Sequence, residues 1–292
     1  MIMEIKRMDR NEVEDVARFI SIMNKNAECH IGYCGTDKEE IQNVLTNELD
    51  IPYWESFLTA YKNDELIGVI GLDTDIENHS AEMWGPFITE KNWSISTDIW
   101  QRMLEHIPAA IEEIYMFPNK RNLNSIHFAE VQGFEMKNQQ TILEIKKHKR
   151  NFYERETLIE LPNEFRSDFI HLHQRAFPRS YYNGQQILDR LNNDRKVFIT
   201  LEHNVFAGYI YVEANPEFGE ASIEFFAVKE EFRRKGIGGR LLNIALQWLF
   251  SYENIQEIGL CVNSINEGAI LLYQKAGFEH VHDLCFFSKN LK

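Results

Sequence analysis

The sequence predicts an α/β protein of the α+β type, in which one pattern of strands and helices occurs twice. Three observations carry this. An apolar run, residues 223–228, passes through the glycine-rich turn Arg233-Arg-Lys-Gly-Ile-Gly-Gly239 into an apolar helical pattern. A second helix, Asn266 to Phe278, follows one strand later and has a degenerate echo at Asn122 to Phe134, offset by 144 positions. The chain has 292 residues, enough for two domains of ordinary size that each bury a core.

In chain order, Glu4 to Arg7 reads as a strand, and Asp9 with Glu12 resembles a capping box opening the first helix. Phe57 to Tyr61 and Leu66 to Asp73 form a hairpin turning at Asn63-Asp64. The segment Leu66-Ile-Gly-Val-Ile matches Phe206-Ala-Gly-Tyr-Ile at an offset of 140, so the two halves read as copies of one unit. The run Lys146-Lys-His-Lys-Arg150 reads as a solvated linker, which sets the expected domains at 1–148 and 150–292.

The second half begins with a strand at Thr157 to Leu161. Helical patterns follow at Asn163 to Ala176 and Gly184 to Leu191, then a hairpin of Val197 to Glu202 and Phe206 to Glu213. The strand Ile223 to Val228, the helix Leu241 to Phe250, the strand Ile258 to Val262 and the helix from Asn266 come next. Gly277 closes that helix, and His280 to Lys289 supplies the closing strand or strands.

A strand that turns through glycines into a helix start leaves several backbone N–H groups pointing one way, at the positive end of the helix dipole. Gly236 and Gly238 allow close approach of an anion, and Arg233, Arg234 and Lys235 add positive charge, so the turn is read as a pyrophosphate site. The spacing Gly236-Ile237-Gly238 is not the dinucleotide fingerprint, and no GxxxxGK[ST] occurs.

The RxxGxG turn followed by Asn266-xx-Ala269-xxx-Tyr273-xxx-Gly277-Phe278 resembles the GCN5-related N-acetyltransferase (GNAT) superfamily over roughly Glu156 to the C-terminus. The resemblance implies, in each half, a mixed, mostly antiparallel central sheet flanked by helices, with one splayed pair of parallel strands. It implies acetyl-CoA as acyl donor. Phe226, Ala227 and Val228 would offer backbone groups to the pantetheine arm. Arg233, Arg234, Lys235, Gly236, Ile237, Gly238 and Gly239 would hold the pyrophosphate. Asn266 would contact the cofactor, cap its helix, or both.

For catalysis, the resemblance implies that Tyr273 protonates the departing thiolate and that Glu224, directly or through water, takes the proton of the attacking amine. By two-residue alternation Glu224 shares a face with Phe226 and Val228. The same residues also suit a packed helix tyrosine and a strand-end glutamate. Tyr181 and Tyr182 lie in the segment that lines the acceptor site in relatives, or form a generic aromatic loop.

The first half lacks these parts. Ala129 stands at the Tyr273 position, and Ser96 and Asp98 fall where Gly236 and Gly238 lie, so coenzyme A is not expected to bind there.

Composition agrees. The hydrophobic fraction is 44% and no apolar run is long enough to span a membrane, so a cytoplasmic protein with no membrane partner is expected. Four cysteines are too sparse for a disulfide scaffold. A net charge of −14 disfavours nucleic acid and suits a cationic amine. No metal site is expected: Cys29, His30 and Cys34 lack a partner pair, His171 and His173 diverge on a helix, and His280 with His282 lacks a third ligand. The expectation is a monomeric or homodimeric N-acetyltransferase acting on a small-molecule or peptide amine. The alternatives are a tandem enzyme resembling mycothiol synthase and a non-catalytic acyl-CoA-binding regulator.

Overall fold

The computed structural model describes residues 3–149, 156–178, 180 and 182–292. They form two compact units, 1–140 with 282–292, and 141–281. This differs from the single break expected near residue 149, because the final eleven residues belong with the first unit.

The first unit runs β1 (Met3–Arg7), α1 (Val13–Asn24), α2 (Lys38–Asn47), α3 (Tyr53–Ser56), β2 (Phe57–Lys62), β3 (Glu65–Asp75), β4 (Ser80–Ile88), α4 (Ser96–Leu104), β5 (Glu113–Met116) and α5 (Leu123–Val131). The chain continues into β6 (Glu135–Lys146). The second unit holds α6 (Arg166–Ala176), α7 (Gly184–Arg190), β7 (Arg195–Glu202), β8 (Val205–Asn215), β9 (Glu220–Val228), α8 (Ile237–Leu249), β10 (Glu257–Asn263) and α9 (Glu267–Lys275), and the last strand is β11 (Glu279–Asn290).

Both hairpins turn through two residues of positive φ, Asn63 and Asp64 in one unit and His203 and Asn204 in the other. Two left-handed residues give the turn whose twist matches that of the flanking strands. In the first unit β1-β2-β3-β4 is antiparallel, β4 pairs with β5 in parallel, and β11 pairs antiparallel with the other edge of β5. In the second unit β7-β8-β9 forms an antiparallel sheet of three, and β10 pairs instead with β6.

Each unit buries apolar side chains on both faces of its sheet. In the second, Ala207, Ile210 and Val212 of β8 pack with Leu241, Leu242 and Ala245 of α8. On the opposite face Phe206, Tyr209 and Tyr211 pack with Phe169 of α6 and Ile187 of α7. Burial of side chains of this size contributes roughly 1.5–3 kcal/mol each, which holds the helices to the sheet.

Two expected elements differ. The strand at Thr157 to Leu161 is reduced to a bridge, Glu160 to Phe198, flanked by backbone bonds from Leu161 N–H to the Val197 carbonyl and from Ile199 N–H to the Ile159 carbonyl. Pro162 follows directly and has no N–H with which to extend the ladder. The capping box at Asp9 is only half formed. Asp9 N–H donates to Glu12 Oε2 at 2.7 Å, but the Asp9 carboxylate pairs with Lys6, and α1 begins at Val13.

β8 and β9 approach closely at Gly208, where an added Cβ would lie 2.6 Å from the Ala227 carbonyl oxygen and 3.1 Å from Val228 Cα. Backbone cannot yield as a flexible side chain does. Gly208→Ala is expected to lower unfolding stability by about 1–3 kcal/mol, read from urea denaturation.

Candidate active site

The opening in the second sheet begins with strand order. β9 is the outer strand of its three-stranded sheet, so among the described residues no strand extends that sheet beyond its outer edge. A cleft of about 500 Å³ lies along this edge. Its walls are Ser222, Ile223, Glu224 and Phe226 of β9, Gly259 to Val262 of β10, Asn266, Ala269 and Tyr273 at α9, and Phe177 after α6.

Glu224 does not follow the expected alternation. Tyr211 faces Phe225 and Val212 faces Ile223, so Glu224 is the extra residue of a β-bulge. Ile223 and Phe226, three apart, consequently pack against the same apolar cluster, while Phe225 enters the cluster on the opposite face. Glu224 lines the cleft from this bulge.

Tyr273 projects from α9 between Phe226 and Phe278, with ring centroids 6.4 and 5.5 Å away. Burial pushes its hydroxyl up to about 12, so it carries its proton at neutral pH and can donate it. Asn266 caps α9, its Oδ1 accepting from the Ala269 N–H at 3.2 Å, and its side chain also reaches the cleft wall. Asn122 caps α5 in the same way, accepting from the Ser125 N–H at 3.1 Å.

At the far end of β9 the chain makes a turn with Arg234 at φ 60° and Gly236 at φ 81°. α8 starts there, and among the described residues no side chain caps it. The N–H groups of Ile237, Gly238 and Gly239 therefore begin the helix without a side-chain acceptor, at its positive end. The three glycines serve different needs. A Cβ on Gly236 or Gly239 would meet nothing within 4 Å, whereas one on Gly238 would press Leu272 at 3.2 Å and Phe226 at 3.4 Å. Arg233 Nε donates to the Val228 carbonyl at 3.2 Å, and the Lys235 ammonium lies 5.3 Å from the centre of the Phe232 ring.

The cleft unites Glu224, Phe226, Asn266 and Tyr273, but not every expected residue. The Ala227 side chain packs on the opposite face of the sheet, and Val228 and Arg233 line a separate groove beside α6. Ile237, the first residue of α8, is buried. Tyr182 lies under the Arg190 guanidinium, 4.1 Å from its ring centre. Tyr181 lies outside the described residues. Cys261 lines the cleft without having been singled out, because a strand cysteine carries no signal in sequence. His173 is buried inside α6 while His171 is exposed, so the two diverge as read. Among the described residues no group of three or more His, Cys, Asp or Glu could hold a metal ion, and no helix is long and apolar enough to cross a membrane.

In the first unit the corresponding opening is filled. β4 and β5 pair from Ser80–Glu113 to Glu82–Tyr115. Beyond that point the chain's own residues 30–32 take the β4-side edge of β5: Ile31 bridges Pro118, Gly32 N–H donates to the Phe117 carbonyl, and Asn119 N–H donates to the His30 carbonyl. The other edge there is held by β11, through Cys285 N–H to the Pro118 carbonyl. Ile31 is fully buried against the cluster containing Trp84 and Phe87. A short 3-10 turn runs directly into α4 at Ser96, with no left-handed residue.

The glycine turn makes a conformational prediction. Gly236→Ala forces a Cβ residue into positive φ and is expected to lower stability by about 1 kcal/mol or more, whereas Gly239→Ala, at ordinary φ in open space, should change it by less than about 0.5 kcal/mol. Thermal or urea denaturation of the pair is the check.

Residues 158–278 match the family model described as the Acetyltransferase (GNAT) family. Among solved structures, a GCN5-related N-acetyltransferase from Sphaerobacter thermophilus is 14% identical, with 99% of this chain and 96% of that one covered and a TM-score of 0.68. A tandem GNAT protein from the clavulanic acid biosynthesis pathway is 12% identical, covering 99% and 98%, with a TM-score of 0.56. A putative acetyltransferase from Pyrococcus horikoshii is 15% identical, covering 99% and 90%, with a TM-score of 0.52. At these identities the likeness is one of fold, and it extends over both halves. Residues 158–278 thus carry the match to the GNAT acetyltransferase family, and the likeness of fold to GNAT structures, a tandem GNAT protein among them, runs over the whole chain.

Proposed function

We propose that the second unit transfers an acetyl group from acetyl-CoA directly to an amine nitrogen of a small molecule or peptide. The observation that carries this reading is the continuity of the outer edge of β9 with an uncapped helix start. The outer edge of β9 offers backbone donors and acceptors for an extended amide-bearing arm, and the turn before α8 offers N–H groups for its pyrophosphate.

In this reading Phe226 to Val228 hold the arm through backbone, and the N–H near Val228 polarises the thioester carbonyl. Arg233, Arg234 and Lys235 balance the phosphate charge. Glu224, at the bulge, accepts the proton of the amine, directly or through one water. The nitrogen attacks the carbonyl carbon, the C–N bond forms and the C–S bond breaks. Tyr273 gives its proton to the departing sulfur and regains one from solvent. No acyl-enzyme is needed, which agrees with the absence of a Ser/His/Asp arrangement among the cleft residues.

A screen for CoA release from acetyl-CoA against polyamines, aminoglycosides, amino acids and peptides tests the reading. Release with at least one amine supports it. Tight acetyl-CoA binding with no release from any of them favours a sensor instead. Tyr273→Phe keeps the ring, so acetyl-CoA affinity should hold while kcat falls about 10²-fold. Glu224→Gln should lose most activity near neutral pH and recover partly at alkaline pH, where more of the amine is already deprotonated. Equal turnover by Tyr273→Phe, or a pH-independent ratio for Glu224→Gln, removes that residue from its role.

Because residues 30–32 occupy the opening of the first unit, one equivalent of acetyl-CoA should bind per chain. Native mass spectrometry at saturating acetyl-CoA reads this directly, and a second bound equivalent would overturn it.

A further inference from the structure

His173 is wholly buried, yet it lies in an apolar cluster with Phe169, Tyr209 and Phe225. A polar ring in such a place is tolerated only when its hydrogen bonds are satisfied. Here both nitrogens are engaged. Nε2 lies 2.8 Å from the Tyr182 carbonyl oxygen, which can only accept, so Nε2 carries the proton. Nδ1, 2.6 Å from the Tyr209 hydroxyl, is then the acceptor, and Tyr209 donates. Burial lowers the imidazole's proton affinity, which agrees with this single neutral tautomer.

Two walls of the cleft converge on this ring. The first is the loop after α6. Its Tyr182 carbonyl is held by His173 and also accepts from the Ser180 hydroxyl at 2.6 Å, and its Phe177, which lines the cleft, packs 5.5 Å from the imidazole. The second is the bulge. Phe225, next to Glu224, meets the imidazole edge-on at 4.9 Å and Phe177 at 5.2 Å. His173 touches neither the cleft nor the glycine turn, so it can act only through these neighbours.

We infer that His173 is a positioning residue for the acceptor: together with Tyr209 it fixes Phe177, Ser180 and Tyr182 against the bulge and so sets the acceptor side of the cleft, independently of acyl-CoA binding. The inference rests on the proposed transfer reaction for its kinetic consequence, but not for its structural one.

The test uses the full-length protein with His173→Phe, which removes both hydrogen bonds, and Tyr209→Phe, which removes one hydroxyl from the other side and keeps His173. His173→Gln serves as a partial rescue, since its amide N–H can reach the Tyr182 carbonyl. Hydrogen–deuterium exchange of the peptide spanning residues 177–183 should quicken about tenfold in both Phe variants, less in His173→Gln. With the amine that gives the fastest CoA release, the acceptor KM should rise about tenfold, while the acetyl-CoA Kd from titration calorimetry stays within about twofold. Unchanged exchange in the folded Tyr209→Phe variant overturns the inference. So does an acetyl-CoA Kd that weakens by the same factor as the acceptor KM. If wild type releases CoA with no amine, the transfer reading fails, and the exchange measurement alone decides the positioning.

Discussion

The candidate site in this protein depends on the outer edge of a sheet that ends at β9. A backbone edge in an apolar setting carries N–H and C=O groups that need partners. In the second unit the sheet stops at β9, β10 joins β6, and the cleft between them is walled by Glu224, Phe226, Asn266 and Tyr273. The open edge, the bulge and the helix start with left-handed Gly236 lie in sequence along one strand and its continuation. Each solves a different local problem: the edge offers hydrogen bonds, the bulge sets Glu224 at the cleft, and the turn gathers amides at a helix dipole.

In the first unit the same opening is closed by the chain itself. β4 and β5 stay paired for three residues, and the chain then closes the remaining edge with residues 30–32. Asn24 fixes that segment. Its amide nitrogen donates to the carbonyls of Ile31, Cys34 and Gly35, and its oxygen accepts from the Ile31 N–H at 2.7 Å. One buried side chain thus satisfies several groups of an otherwise irregular segment, which is why a loop can be buried there at all. The two copies share a sheet pattern and differ in which chain satisfies one edge.

Buried polar groups in the second unit follow the same logic. His173 and Tyr209 occupy positions where apolar side chains would pack as well, and such groups lend a unique geometry rather than net stability. Their hydrogen bonds end on the loop that carries Phe177, and the imidazole packs edge-on against the Phe225 ring beside Glu224. This wall of the cleft is therefore tied to the core of α6 and β8, whereas the glycine turn is shaped by its left-handed residues Arg234 and Gly236 and by the Arg233 bond to the Val228 carbonyl.

The sequence by itself determined the local chemistry. Paired turn residues marked both hairpins, the glycine turn marked the start of α8, the Asn122 and Asn266 caps marked matching helices, and Tyr273 lay on the second of these. These are legible because capping, left-handed turns and helical period depend on residues a few positions apart. The bulge at Glu224 was not legible, because it is set by the register of two strands rather than by the alternation along one of them. His173 gave a weaker signal, lying four residues after Phe169 on the buried face of its helix, but its partners Tyr209 and Tyr182 are brought to it only by packing. The closure of the first opening by residues 30–32, and the return of the last eleven residues to the first unit, were decided by tertiary structure alone. Both depend on which distant segment best satisfies an exposed strand edge, and hydrogen bonding between backbones carries almost no sequence code.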